Sequence, residues 1–350
     1  MGVFKMYFAL LFKRICAMLV AVANFIGFSL GTGVKFVEPV PAEDFHVTSY
    51  IVGKYVYDIN NLHTEDFDII TDVILFGCAN FTAEGEVVLE KDTLETSLNN
   101  IRTVVGDRDI TITLNILGPS YTSNGISWED DMEQQSIEHN KAFASGVLEE
   151  NIKAVIEHYD FDGVHFDYEY PIKLKHWNKF SDFLIRLDEV MPDRLIGIAV
   201  CEWNANIKTK AIEAVDYFEL MMYDIYDEAD GKHSTFERAT ELSHEATMKG
   251  IPPEKMHFGL PFYARPTDHD AYWYDYIGYY DKLDENNFYY DETLQKSFWF
   301  NTPDVTKAKT EYAMENGFGG VMIWHYTCDL PSTNPDSLLR AVGEAKGAQK

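Results

Sequence analysis

The chain has 350 residues, of which 46% are hydrophobic, so it is long enough for one or two domains with a sizeable core. It carries 57 acidic against 29 basic residues, a net charge of −28. A surface of this sign repels phosphate backbones, and we therefore expect no nucleic-acid partner.

The N-terminus has the layout of an export signal. Lys13 and Arg14 precede an apolar run at 15–30, which ends in small residues. The run is shorter than the roughly 20 residues of a typical membrane span. We predict a signal peptide over 1–31, or alternatively an uncleaved anchor, followed by a tether over 32–45. The protein is thus expected to be secreted, with no membrane partner beyond such an anchor.

Cysteine and histidine patterns indicate no metal centre. Cys78, Cys201 and Cys328 each lie in a predicted strand or just after one, as small buried thiols do. The sequence has no Cys-x-x-Cys pair and no His-Glu-x-x-His motif. We expect neither a disulfide framework nor a metal or other cofactor.

Beyond the tether, strand-like runs alternate with segments of helical period. The predicted strands are 47–53, 73–81, 110–117, 163–170, 195–203, 218–226, 256–264 and 319–326. The clearest helical segments are 94–105, 177–191, 236–250 and 304–317. Eight such strands favour a single-domain α/β fold, a (β/α)8 TIM barrel, over 46–345. A doubly wound open sheet is the alternative, but no Gly-x-Gly-x-x-Gly turn follows the first strand.

The fourth strand places carboxylates in an otherwise apolar run, 160-DFDGVHFDYEYP-171. Alternate residues share a face, so His165, Asp167 and Glu169 point together, with Glu169 at the C-terminal rim where barrel enzymes carry their chemistry. Glu169 in an aromatic-lined cleft would have a raised pKa and could act as an acid. Its neighbour Asp167 cannot attack a sugar from the opposite side, which suggests that the nucleophile comes from the substrate.

These residues resemble the family-18 glycoside hydrolases, the chitinases and their relatives, from about His46 to Val342. The family signature Asp-Gly-x-Asp-x-Asp-x-Glu aligns with residues 162–169. Three further family-like segments follow at later strand ends: 221-MMYD-224, 259-GLPFYAR-265 and 319-GGVMIW-324.

The resemblance implies cleavage of β-1,4-linked N-acetylglucosamine chains by a substrate-assisted retaining mechanism. Glu169 would protonate the glycosidic oxygen, and the acetamido carbonyl of the same sugar would attack the anomeric carbon. Asp167 would hold the acetamido N–H, Tyr223 would orient its carbonyl, and Trp324 would form the floor. Further expected site residues are the substrate-binding Met222, Asp224, Tyr263 and Arg265 and the supporting Asp162 and His165.

Departures from the family pattern leave the substrate open. The family's middle aspartate is His165, the third strand reads Asn115-Ile116-Leu117-Gly118, and Cys78 replaces an aromatic residue. The stretch 265–318 is too short for a full insertion domain, so we expect at most a short insertion between the seventh and eighth barrel strands. We therefore expect an open groove in which Trp128 and Trp203 stack on sugars.

Three alternatives remain at this point. The first is an endo-β-N-acetylglucosaminidase that cuts the chitobiose core of N-glycans. The second is a non-catalytic lectin on the same barrel, although such relatives typically lack the acid that Glu169 supplies. The third is a conventional two-carboxylate glycosidase using Glu169 with Asp224. In all three the partner is a carbohydrate, and we expect a monomer.

His165 carries a hypothesis of its own. We expect its ring to donate to Asp167, to have a raised pKa, and to hold Asp167 ionised. The alternative is a hydrogen-bonded filler of the barrel interior.

Overall fold

The computed structural model describes residues 39–41, 43–119, 127–169 and 171–347. The predicted signal or anchor over 1–31 lies outside the described residues, as does the first half of the tether, so secretion stays a prediction. None of the described helices is long and apolar enough to cross a membrane.

Eight parallel strands close into a barrel, which confirms the predicted fold. Each pairs with the next barrel strand along the chain, and the first pairs with the last. The barrel strands are β1 (His46–Val52), β2 (Asp72–Phe76), β5 (Thr111–Asn115), β6 (Gly163–Phe166), β7 (Leu195–Val200), β8 (Tyr217–Leu220), β9 (Met256–Pro261) and β14 (Gly320–Trp324).

Amphipathic helices cover the outside of the barrel. In the first of them, Leu94, Leu98 and Ile101 are buried at helical spacing, and Gly106 ends the helix with a φ of 62°. The helices of the described chain are α1 (Lys91–Val105), α2 (Trp128–Phe143), α3 (Leu148–Tyr159), α4 (Leu174–Val190), α5 (Thr209–Ala214), α6 (Phe236–Thr247), α7 (Pro303–Glu315) and α8 (Leu338–Gly347).

The alternation of β6 fixes which side chains face the barrel interior. Phe166 packs outward against Phe183 of α4, with ring centroids 5.6 Å apart. His165 points inward and is fully buried. Gly163 has no side chain because a Cβ there would lie 2.2 Å from the carbonyl oxygen of Leu195 on the next strand. The register therefore directs Asp167, two residues after His165, toward the C-terminal mouth.

Short hairpins form the insertion between the seventh and eighth barrel strands. Two antiparallel pairs lie there, and a third follows β2, so no full insertion domain is present between 263 and 299. The expectation of a short insertion is confirmed. These additional strands are β3 (Ala79–Phe81), β4 (Val87–Leu89), β10 (Tyr263–Ala264), β11 (Tyr274–Asp275), β12 (Phe288–Asp291) and β13 (Lys296–Trp299).

The cysteines in the described part of the chain are free thiols. Cys78 and Cys328 are buried, and Cys201 is half-buried. Burial raises the pKa of Cys78 to about 12, so this thiol stays protonated and unreactive at neutral pH.

Candidate active site

A cavity of about 420 Å³ lies where the C-terminal ends of the barrel strands meet. It contains most of the side chains that the sequence predicted for the site, contributed by six different strand ends. Its lining consists of Tyr50, Asp167, Glu169, Cys201, Glu202, Trp203, Met221, Tyr223, Asp224, Ile225, Tyr263, Arg265, Trp273 and Trp324.

Asp167 and Glu169 follow β6 and face this cavity together. Burial, and then the charge of Glu169, raises the pKa of Asp167 well above its usual range. Burial, and then the charge of Asp224, raises the pKa of Glu169 as well, although its side chain opens onto the cavity. Because two close carboxyls resist double ionisation, the pair retains a proton at pH values where an isolated carboxyl would have lost it.

One oxygen of Asp167 lacks a hydrogen-bond donor. Its Oδ1 atom is buried and has no partner within the described part of the chain. A buried acceptor without a donor is costly, so an N–H group entering the cavity would be stabilised there.

Tyr223 presents a hydroxyl to the same cavity. Its only hydrogen bond among the described residues is a weak one to Sδ of Met322, at 3.7 Å. Burial, and then the charge of Asp167, raises the pKa of Tyr223 well above its usual range. The hydroxyl therefore keeps its proton and can donate to a carbonyl oxygen.

Asp224 is held as a carboxylate by three neighbours. Arg265 donates to both oxygens, from Nε at 2.5 Å and from Nη2 at 2.7 Å, and the hydroxyl of Tyr263 donates at 2.6 Å. Burial alone would raise the pKa of Asp224, but its hydrogen bonds with His233 and Arg265 hold it well below its usual range. Asp224 is thus ionised and tied to the wall, with a left-handed φ of 57° that sets its direction.

Trp324 ends β14 and forms one side of the cavity. Its indole is half-buried and packs edge-on against Tyr50 and Phe76, with ring centroids 5.1 Å away in each case. The ring is held rigidly and offers an apolar surface on which a sugar can stack.

Met222 does not line the cavity, and that expectation is corrected. The side chain is fully buried in the main hydrophobic core. Its neighbour Met221 lines the cavity instead, because successive residues after β8 point to opposite sides. The sequence pattern identified the segment but was off by one residue.

Asp162 lies at the far end of β6, away from the cavity. Its carboxylate accepts a hydrogen bond from the backbone N–H of Ile112, at 2.8 Å, and its own N–H donates to the Ile112 carbonyl. Asp162 thus joins β5 to β6 at the N-terminal side of the barrel, a supporting role in the fold.

The hypothesis for His165 is wrong in its partner and in the direction of its pKa. Nε2 lies 3.2 Å from the hydroxyl of Tyr50, and Nδ1 lies 3.0 Å from the amide nitrogen of Asn115. Neither ring nitrogen bonds to Asp167 in the described structure. Burial, and then the charge of His257, lowers the pKa of His165 to about 3. The ring is therefore neutral because desolvation acts without a carboxylate partner to offset it.

Several cavity residues were not anticipated as site residues, among them Tyr50, Glu202 and Trp273. Tyr50 could have been found from the alternation of β1, which points every second residue inward. Glu202 precedes Trp203 just after β7. In the sequence, only its position after a predicted barrel strand indicates that it could belong to the site. Trp273 comes from the short insertion and stacks on Tyr263 with ring centroids 4.4 Å apart, a contact that no local pattern encodes.

A larger cavity of about 680 Å³ lies beside this one and shares Trp273 with it. Its buried carboxylates are already bonded to the fold. Asp66 accepts from the hydroxyl of Tyr326 at 2.7 Å, and Asp329 accepts from the backbone N–H of Leu339 at 2.8 Å. The two carboxyls whose pKa values are raised together, Asp167 and Glu169, line the smaller cavity. We therefore take that cavity as the candidate active site. Across the described residues, no group of three or more potential ligands is arranged to hold a metal ion.

Comparison with known proteins relates this chain to a family and a fold. A sequence profile described as Glycosyl hydrolases family 18 matches residues 46–329. Endochitinase 1 of Metarhizium robertsii is 22% identical over 241 residues, covering 53% of this chain and 55% of that protein. The chain thus spans about half the length of the curated relatives it matches.

Solved structures with the same fold include enzymes and a binding protein. The Group IV chitinase of Ostrinia furnacalis in complex with allosamidin has a TM-score of 0.67 at 19% identity, covering 87% of this chain and 100% of that chain. The chitinase ChiB of Flavobacterium johnsoniae has a TM-score of 0.66 at 21% identity, covering 90% and 96%. The chitinase-like agglutinin of Robinia pseudoacacia has a TM-score of 0.66 at 15% identity, covering 86% and 99%. The fold alone does not separate catalysis from binding.

Proposed function

The chain belongs to Glycosyl hydrolases family 18, and from this premise we propose that it is a glycosidase of β-1,4-linked N-acetylglucosamine polymers or oligomers. The observation that carries the proposal is the grouping of Asp167, Glu169 and Tyr223 around one cavity, with raised pKa values for both carboxyls and a buried acceptor oxygen that has no partner among the described residues. These groups match the needs of an acetamido sugar that supplies its own nucleophile.

The proposed reaction begins with proton transfer from Glu169 to the glycosidic oxygen. The carbonyl oxygen of the 2-acetamido group attacks the anomeric carbon as the bond to the leaving sugar breaks. Tyr223 donates a hydrogen bond to that carbonyl and orients it. The intermediate is an oxazolinium ion, which water opens while Glu169 takes back a proton, so that the anomeric configuration is retained.

Asp167 stabilises the positive charge that develops on the acetamido group. Its free Oδ1 atom accepts the acetamido N–H, which favours the ionised form of Asp167. The single proton of the carboxyl pair then resides on Glu169, where the leaving group needs it. Trp324 supports the apolar face of the reacting sugar.

A conventional pair of Glu169 and Asp224 is less consistent with the geometry. Asp224 is occupied by Arg265 and Tyr263, so it is poorly placed to attack a sugar or to activate water. A lectin is the second candidate, because the Robinia pseudoacacia agglutinin shares the fold. Two substrates are considered for a glycosidase, chitin and the chitobiose core of N-glycans. The cleavage products distinguish between them.

The test is a substrate panel with one inactivated variant. Purified protein is incubated with N-acetylated chito-oligosaccharides, an N-glycoprotein and an unacetylated β-glucan, and the products are identified by mass. We expect cleavage of acetylated substrates only. Glu169→Gln keeps the shape and cannot donate the proton, so turnover should fall by about 10²-fold or more while binding persists.

Glu292→Gln is the control, because it removes one exposed carboxylate outside the cavity. Binding of oligosaccharides without turnover in the parent protein would favour the lectin. Cleavage of the unacetylated glucan would exclude substrate assistance.

A further inference from the structure

Glu202 is a buried carboxyl in the cavity wall that the proposed reaction does not use. It follows β7, is 9% exposed, and lines the same cavity as Glu169. The next residue, Trp203, is 50% exposed and lines the cavity beside it. A sugar stacked on Trp203 would therefore lie against the carboxyl of Glu202.

Glu202 has no ion pair among the described residues, and the charge of Arg238 acts on it only from a greater distance. Arg265 is engaged by Asp224, and Arg238 donates to Glu241 at 2.8 Å. No lysine, arginine or histidine of the described residues lies within ion-pair distance of Glu202. Burial raises its pKa, and only its own backbone N–H, that of Trp203 and the charge of Arg238 oppose this. A buried carboxyl without a counter-ion is costly, so a cationic ligand group at this wall would be stabilised.

The strand order places Glu202 beside the strand that carries Glu169. In the closed barrel β14 and β6 lie on opposite sides, and β7, which carries Glu202, is next to β6. In the proposed reaction the sugar that supplies the acetamido group lies over Trp324, and the leaving sugar lies beyond Glu169. The exposed ring of Trp203, next to Glu202 at the end of β7, is a surface on which that leaving sugar can stack.

Resting on the proposed function, we propose that Glu202 binds the protonated 2-amino group of a glucosamine unit on the leaving-group side. The amino group of glucosamine is cationic at slightly acidic pH and projects from the ring carbon that carries the acetamido group in N-acetylglucosamine. The preferred substrate is then partly deacetylated chitin, cut between an N-acetylglucosamine and a glucosamine. A charge-assisted hydrogen bond of this kind is stronger than a neutral one.

The test uses partly acetylated chitosan of known composition at slightly acidic pH. Substrate assistance requires N-acetylglucosamine at every new reducing end. If Glu202 binds the amino group, the new non-reducing ends are enriched in glucosamine relative to the starting polymer, as sequencing of the products by mass spectrometry would reveal. If the products of the parent protein have new non-reducing ends with the same composition as the starting polymer, the proposal is overturned. This outcome needs no variant.

Glu202→Gln removes the charge and keeps the shape. We expect the ratio of kcat/KM on chitosan to kcat/KM on N-acetylated oligomers to fall about tenfold, and the end enrichment to disappear. Glu202→Asp keeps the charge and should retain part of the enrichment, and Glu292→Gln is the charge-matched control outside the cavity. An unchanged ratio in Glu202→Gln would also overturn the proposal. Failure of the parent protein to cleave acetylated oligomers would instead count against the proposed function.

Discussion

The hydroxyl of Tyr50 lies 3.2 Å from Nε2 of His165, inside the barrel beneath the candidate carboxyl pair. On the other side of the ring, the amide nitrogen of Asn115 lies 3.0 Å from Nδ1. Since an amide N–H₂ group only donates, Nδ1 is the acceptor and Nε2 carries the proton that is donated to Tyr50. Both nitrogens are satisfied in the neutral ring, which agrees with its lowered pKa of about 3.

The first prediction concerns the charge at position 165. His165→Asp places a carboxyl where Tyr50 and Asn115 can both donate to it, so we expect a folded and active protein. The added negative charge opposes ionisation of Asp167 and Glu169 and raises the pKa of each. Activity requires the proton on Glu169, so the alkaline limb of kcat/KM should move to higher pH.

His165→Asn is the matched control, because it differs from the aspartate variant in charge and hardly in shape. Its alkaline limb should stay near that of the parent protein, whose neutral His165 contributes no titration above its pKa of about 3. Coincident pH profiles for the two variants would contradict electrostatic coupling between position 165 and the carboxyl pair.

The fold was predictable because each barrel strand is a short β-branched or aromatic run between amphipathic segments. All eight predicted strands form, but several end earlier than expected. The predicted 163–170 is a strand only over Gly163–Phe166, because the chain leaves the ladder where it enters the cavity. Composition marks a strand, whereas its end depends on where the neighbouring strand stops.

The site was predictable in its rim residues and less so in its contacts. Periodicity placed His165 and Asp167 on one face, but the partners of His165 are 115 and 50 residues away in sequence. The sign of its pKa shift depends on those partners. Met222 was misplaced by one position for a related reason, since the two adjacent methionines can be told apart only by the register of β8.

The second prediction concerns the fork geometry of Arg265, whose guanidinium donates to both carboxylate oxygens of Asp224. Arg265→Lys keeps the positive charge but cannot donate to both oxygens in one plane. We expect kcat/KM on acetylated oligomers to fall about tenfold, because Asp224 lines the cavity and loses its fixed direction. Arg265→Gln removes the charge as well and should be less active than the lysine variant. Equal activity in the two variants would mean that the charge is unimportant here, and parent-like activity in both would mean that the fork geometry is unimportant as well.

The third prediction concerns the two exposed tryptophans that were expected to line an open groove. Trp128 and Trp203 are both exposed, and their ring centroids lie 6.4 Å apart. Stacking contributes about 0.5–1.5 kcal/mol, so Trp203→Ala should raise KM for soluble oligomers by roughly two- to twelvefold. Tyr290→Ala removes an equally exposed ring outside the cavity and is the control.

The short insertion between the seventh and eighth barrel strands predicts a substrate preference. Without a full insertion wall to hold a chain, the parent protein should cleave soluble oligomers faster than crystalline chitin. The comparison is made by measuring reducing ends released from the two substrates under one set of conditions. Processive release of dimer from crystalline chitin at the soluble rate would contradict an open groove.

The last prediction concerns Lys309, which is fully buried in α7 beneath the loop that carries Asp224. Its ammonium donates to the carbonyl and hydroxyl of Ser234, at 2.6 and 2.8 Å, and to the amide oxygen of Asn301 at 2.6 Å. These partners are neutral, and burial lowers the pKa of Lys309 to about 7 from an ordinary value of 10.5. Between these two pH values the unfolded chain binds a proton that the folded protein does not.

The free energy of unfolding contributed by this group therefore rises with pH across that window, and below about pH 7 the folded protein bears the full cost of the buried charge. Each pKa unit corresponds to about 1.4 kcal/mol, so the effect is several kcal/mol. In Lys309→Met, this contribution to the rise in the free energy of unfolding with pH should be absent. The measurement is urea unfolding of the variant and the parent at several pH values from neutral to alkaline. Lys307→Met, two residues away and half-exposed, is the control and should keep the rise. A difference between Lys309→Met and the parent that does not change with pH would show that the ammonium is not destabilised by burial.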